Sequence, residues 1–329
     1  MKRKLMWGDA VMHRRHAHSL VRISTLLCVV GSTALSPAFA KSKCDLKEGA
    51  TAEQARLGLC KFDVATRSFE GTPAEQAACL TRAVMRTAHI GDDTISPFLK
   101  DLVGKPAPSI KAVQSYLDGE NIKSQQIGGP IATPIKANYF IIHDTSSPNC
   151  SEFGAKAPAC PKRGKFPPDR DEASWPINKN FDGHPAKAPH RFAHAFTNRV
   201  GESVTEVDFK KHFVTTKFEQ CVDPSAKIAL FVGVENIQPR IGDPPIPKPG
   251  KDANDFDAPE PGFTTKQYDR LALLYLVASA RRGQWLIPAF HAVIDQKYRD
   301  AHDDPQHFDM PAFSAAVQRH VEALRVLKL

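Results

Sequence analysis

Two short apolar runs constrain this chain most, because each ends in a side chain that can ligate a metal or move a proton. Asn138-Tyr139-Phe140-Ile141-Ile142 leads into His143, and Ile228 to Val234 leads into Glu235. Runs of this length, rich in β-branched and aromatic residues, predict buried strands. Phe196 to Val207 predicts a hairpin around Arg199-Val200-Gly201-Glu202. Helical patterns follow. From Thr264 to Arg282, Leu271, Leu274, Tyr275 and Ala278 recur at helical spacing, with Thr264 and Gln267 as a capping box and Gly283 as the stop. Pro311 to about Leu327 predicts a closing helix capped by Asp309. Strands mixed with helices imply an α/β fold.

Upstream the pattern is helical. Thr51 to Leu59 and Pro73 to Thr87 are rich in Ala, Glu, Gln, Arg and Leu, and Thr72 with Glu75 forms a second capping-box pattern. Gln126-Ile127-Gly128-Gly129-Pro130 then interrupts regular structure. These features predict a mainly helical accessory domain over 41–127 and a larger domain over 128–329. Pro148 to Pro189 and Gln238 to Gly262, rich in Pro, Lys and Asp, read as surface insertions.

Residues 1–40 carry the marks of a secretory signal. Lys2, Arg3, Lys4, Arg14, Arg15 and Arg22 precede a short apolar stretch, Ile23 to Leu35, and Ala38-Phe39-Ala40 offers a small-x-small cleavage site. That stretch falls short of the roughly 20 residues a spanning helix needs. The expectation is therefore an exported protein, periplasmic or secreted, without stable membrane insertion. The six basic residues and Asp9 account for most of the formal charge of +8, leaving about +3 for the rest of the chain. No Lys/Arg stripe with interleaved aromatics is present, which argues against nucleic acid as a partner. A mild positive charge is compatible with an anionic polymer such as a cell wall. Beyond Cys28, six cysteines remain: Cys44, Cys60, Cys79, Cys150, Cys160 and Cys221. An even number in an exported chain suggests disulfides, and Cys150–Cys160 would close a Pro/Lys-rich loop.

Three side chains have the chemistry of a zinc site. His143 ends a strand, His291 follows Trp285-Leu286-Ile287-Pro288-Ala289-Phe290 with a turn expected at Pro288, and Asp304 precedes Pro305. Two imidazoles and a carboxylate leave one coordination position for water, and Glu235 can serve as base. Ordinary roles compete with each assignment. The chain has ten histidines beyond residue 40. Asp before Pro is common in turns, Asp295 and Asp303 compete with Asp304, and Glu235 reads equally well as an exposed strand end.

In this order the motifs resemble the zinc-dependent N-acetylmuramoyl-L-alanine amidases and the related peptidoglycan recognition proteins. The resemblance covers 138–329. It runs through Ile141-Ile142-His143-Asp144-Thr145, Ala193-His194, Asn198-Arg199-Val200-Gly201, Val232-Gly233-Val234-Glu235, Thr264-Thr265-Lys266-Gln267-Tyr268 and Asp304-Pro305-Gln306-His307-Phe308-Asp309. It implies a mixed central sheet flanked by helices, with zinc held by His143, His291 and Asp304. Glu235 would be the general base, acting on the amide between N-acetylmuramic acid and L-alanine. Two departures stand out. The family has a lysine two residues before the aspartate ligand, where it stabilises an oxyanion; this chain has His302, whose imidazolium could donate the same bond. The family's Trp-His-Ala-Gly after the hairpin is missing, with His212 as a conceivable replacement. Two other readings follow from the same resemblance: a muropeptide-binding module that cleaves nothing, and a peptidase acting on stem peptides.

Overall fold

The computed structural model describes residues 59–85, 89–146, 193–222, 230–238, 258, 262–298 and 302–326. The expected signal over 1–40, the helix from Thr51, the Cys150–Cys160 pair and nearly all of the two insertions lie outside them. Within Lys41–Leu329, which forms one compact unit, a five-stranded sheet carries the architecture. Its strands are β5 (Tyr139–Asp144), β6 (Ala195–Thr197), β7 (Ser203–Thr205), β8 (Phe231–Asn236) and β9 (Ile287–Phe290), in the order β7-β6-β8-β5-β9. The pairs β5–β8, β5–β9 and β6–β8 are parallel, and only the edge pair β6–β7 is antiparallel. The chain is thus α/β with a mixed sheet. All six residues of β5 are buried, as expected of a parallel strand covered on both faces.

Local signals set the helices on this sheet. The helix Thr265–Arg282 begins with the Thr264/Gln267 capping box and stops at Gly283, whose φ of 83° is the left-handed conformation of a C-terminal cap. It is buried on nearly every side, between the sheet and the closing helix Met310–Val326. Asp309 caps that closing helix, accepting from the Ala312 amide at 3.0 Å. The hairpin of β6 and β7 forms as expected, with Gly201 at φ 86° in its turn.

Three expectations need correction. The helix beginning at Pro73 keeps its Thr72/Glu75 capping box but ends at Leu80. The chain continues as β3 (Arg82–Met85), paired antiparallel with β4 (His89–Asp93). Thr81 turns its hydroxyl back to the Ala77 carbonyl at 2.7 Å, and strand pairing overrides the helix propensity of Ala83 and Met85. Second, Pro288 lies in β9 and not in a turn. β9 is the outer strand, where a missing N–H does not interrupt a ladder. Third, the junction at 127/128 is not a break in packing. Gly128 (φ 80°) and Gly129 (φ 109°) are needed for close approach: a Cβ would come within 2.3 Å of the Phe209 ring and of the Asp208 carboxylate, respectively. Arg281 closes this turn, donating to the Gly128 and Thr133 carbonyls and to Asp208.

Residues from both sides of that junction share one core. The described residues of the N-terminal part contribute a small hairpin, β1 (Phe62–Asp63) with β2 (Ser68–Phe69), and the helices α1 (Pro73–Leu80), α2 (Pro97–Leu102) and α3 (Ile110–Gly119). The Tyr139 hydroxyl of β5 donates to Gln76 and accepts from the Phe69 amide. Phe62, Phe69, Tyr139, Phe218 and Phe231 form a continuous ring cluster with neighbouring centroids 5.0 to 6.3 Å apart. The disulfide Cys60–Cys79 ties the hairpin to α1. Cys221 is also disulfide-bonded.

Between β7 and β8 lies α4 (Lys217–Val222). Thr216 caps it, and Glu219 reaches back to the Thr215 and Thr216 amides at 3.0 and 3.2 Å. Burial pushes the Glu219 carboxyl up to about 7, against the hydrogen bonds from Thr215 and Thr216 that favour its charge. The folded value is raised, so this contribution to stability is complete below the unfolded value of 4.5 and is lost as pH rises through about 7. Urea titrations should show wild type losing stability relative to Glu219→Gln between those limits, by at most about 1.4 kcal/mol per pH unit. Parallel pH profiles for the two proteins would mean that Glu219 is ionised throughout.

Candidate metal centre

The parallel strands deliver the candidate ligands to one end of the sheet. His143 and Glu235 are register partners on β5 and β8. Phe290, the last residue of β9, is one step beyond the partner of Ile141 on the other side of β5, so His291 follows directly at the same edge. A short helical turn, α6 (His291–Ile294), begins there; it follows the long central helix α5 (Thr265–Arg282) and precedes the closing helix α7 (Met310–Val326). Asp304 arrives from the segment before α7. It is pinned by the Asp144 amide, which donates to its carboxylate at 3.1 Å, and by its own carbonyl, which accepts from the Ala292 amide at 2.9 Å. Asn236 donates to the His143 carbonyl, and Asp144 accepts from the Gln306 amide, which fixes the loops around the site.

His143, His291 and Asp304 converge, with one ligand atom from each lying within 4.8 Å of the others. The Asp304 carboxylate is 2.9 Å from His291 Nδ1 and 3.5 Å from His143 Nδ1. Tetrahedral ligands about 2.1 Å from a zinc ion stand about 3.4 Å apart, so the spacing suits one. The donor types, two imidazoles and a carboxylate, suit it as well. Burial, then the charge of His291, lowers the His143 pKa to about 4 and leaves the ring neutral at neutral pH, as a ligand must be. Burial also disfavours a charged His291, but Asp304 and Asp295 outweigh it and hold its pKa well above the usual histidine value. Burial works against the Asp304 charge, yet His291 and His143 keep its carboxyl well below the ordinary range. The three side chains are almost inaccessible to solvent, whereas Glu235 is 15% and His302 43% exposed. Those two therefore border the solvent side of the cluster.

Glu235 Oε1 lies 3.9 Å from His143 Nδ1. His302 Nδ1 lies 3.8 Å from Asp304, with its ring centroid 5.0 Å from that of His291. Burial, then His291, lowers the His302 pKa, which favours the neutral ring over the imidazolium expected from the sequence. His212 is exposed and stands outside the ligand group. Asp303 accepts from the Gln306 side chain, a turn contact. The other motif residues build the frame. His194 bridges the Lys211 carbonyl and the Gly233 amide. Arg199 donates to Gln238 and Gly262, while Thr264 donates to the Arg199 carbonyl and Gln267 to that of Ile237. Asp295 was legible in the sequence only as a rival to Asp304; its position on the far side of His291 was not. No protein-family model, curated protein or solved structure matches the chain.

Proposed function

We propose that this chain is an exported, zinc-dependent N-acetylmuramoyl-L-alanine amidase acting on peptidoglycan or its muropeptides. The observation that carries the reading is the convergence of His143, His291 and Asp304 beside Glu235, at the edge where parallel strands end. A buried group of two imidazoles and one carboxylate could bind a metal ion. Zinc held there would supply Lewis acidity and bring the pKa of water to about 7. Glu235, with its partial access to solvent, would take the proton of the attacking water and pass it to the leaving amine of L-alanine. His302 would donate its N–H toward the oxygen of the lactyl carbonyl as charge develops there. The burial of the three ligands keeps bulk water from their rear, so substrate would approach past Glu235 and His302. The Cys60–Cys79 disulfide is compatible with export.

The test is digestion of isolated sacculi by the purified chain, read by mass spectrometry of the released species. Release of peptides beginning with free L-alanine, lost with a chelator and restored by zinc, is the expected result. Cleavage within the stem peptide would assign a peptidase instead. Retention of muropeptide without release, with zinc bound, would assign a binding module.

A further inference from the structure

His291 is held from both sides, and the side away from the ligand cluster is the more firmly built. Asp295 is fully buried. Its Oδ2 accepts from the Lys217 amide at 2.9 Å and lies 2.8 Å from His291 Nε2, while its Oδ1 accepts from the Phe218 amide at 2.9 Å. The carboxylate is therefore anchored by the backbone of α4, and its place does not depend on the ring it faces. The same residue donates its own amide to the His291 carbonyl. On the opposite edge of the ring, Nδ1 faces Asp304.

We infer that Asp295 is the positioning residue of the candidate metal centre, keeping the proton of His291 on Nε2 and so presenting Nδ1 to the metal. This rests on the zinc reading above. The physical reason is the asymmetry of imidazole: a neutral ring has one N–H and one lone pair, and a carboxylate can only accept. An Asp295 carboxylate fixed at Nε2 selects the tautomer whose lone pair is at Nδ1, on the side of Asp304 and His143. It also makes the ring a stronger donor to a cation and removes the freedom to rotate away. The i,i+4 spacing of His291 and Asp295 allows this because the turn between them is helical. The competing role is capping alone, since Asp295 accepts the first amides of α4 whether or not a metal is present.

The experiment uses the full chain. Zinc affinity is measured by competition with a chromophoric chelator for wild type, Asp295→Asn and Glu219→Gln, and imidazole nitrogen shifts are recorded for the zinc-loaded wild type. Glu219→Gln disturbs the same α4 turn without touching His291. The expected result is about 10- to 100-fold weaker zinc binding in Asp295→Asn, wild-type affinity in Glu219→Gln, and a His291 spectrum with the proton on Nε2 and the metal on Nδ1. Unchanged affinity in a folded Asp295→Asn, or equal losses in both variants, would reduce Asp295 to a helix cap and overturn the inference. If Asp295→Asn does not fold, the wild-type spectrum decides: metal on Nε2 overturns the inference, metal on Nδ1 upholds it. Wild type that takes up no zinc would overturn the metal reading itself, and this inference with it.

Discussion

Glu235→Gln is expected to keep its zinc and lose nearly all turnover. Gln has the same shape and length as Glu, so the β8 strand end and its register against β5 should be undisturbed. The lost property is the capacity to hold a proton. A positioned general base typically contributes about 10²- to 10⁴-fold to rate, on the order of 3 to 5 kcal/mol. The fall should appear in kcat, because in the proposed mechanism Glu235 acts on a proton in flight and does not hold substrate in the ground state. Its Oε1 stands 3.9 Å from His143 Nδ1, beside the ligand group and not within it. Zinc content, measured on the purified variant, should therefore match wild type. Peptide release from sacculi at the wild-type rate would remove Glu235 from the mechanism. Loss of zinc together with activity would make it a ligand.

The sequence disclosed what is local and hid what depends on pairing. Both capping boxes, Thr72/Glu75 and Thr264/Gln267, form as read, because a cap is decided within four residues. The stop at Gly283 and the cap at Asp309 are legible for the same reason. β5 and β8 could be recognised as buried strands, but not that their register sets His143 beside Glu235. Register belongs to the sheet and not to either run. Pro288 misled because proline usually marks a turn, and its tolerance in β9 depends on that strand being outermost, a fact of topology. Gly128-Gly129 misled in a related way. Glycines that separate domains and glycines that admit a ring or a carboxylate look alike in sequence, and here Phe209 and Asp208 occupy the space. The same tertiary closeness turned two expected domains into one shared core, with Tyr139 bound to Gln76 and Phe69. Asp295 was the least legible of the site residues. Its partners are the amides of Lys217 and Phe218, almost 80 positions away, and no spacing rule connects them.

His143→Ala should strip the centre of its metal while leaving a folded protein. Zinc binding by a complete set of protein ligands reaches about 10 to 16 kcal/mol, so one ligand is worth about 3 kcal/mol, or on the order of 10²-fold in affinity. The effect should reach that full size, because the buried His143 ring is neutral at neutral pH and gives up no proton in order to bind. Among the described residues, no histidine outside the ligand group ends a strand at this edge. His302 lies on the Asp304 side, 3.8 Å from that carboxylate, and His212 stands outside the group. The substitution also leaves a cavity at the end of β5, which costs stability of its own. His212→Ala is therefore the proper comparison for metal, and a urea titration of His143→Ala separates lost fold from lost ligand. A folded His143→Ala protein that binds one zinc as tightly as wild type would take His143 out of the centre. Zinc lost from His143→Ala and kept by His212→Ala would leave the strand-end imidazole as the ligand and the exposed one as a surface residue.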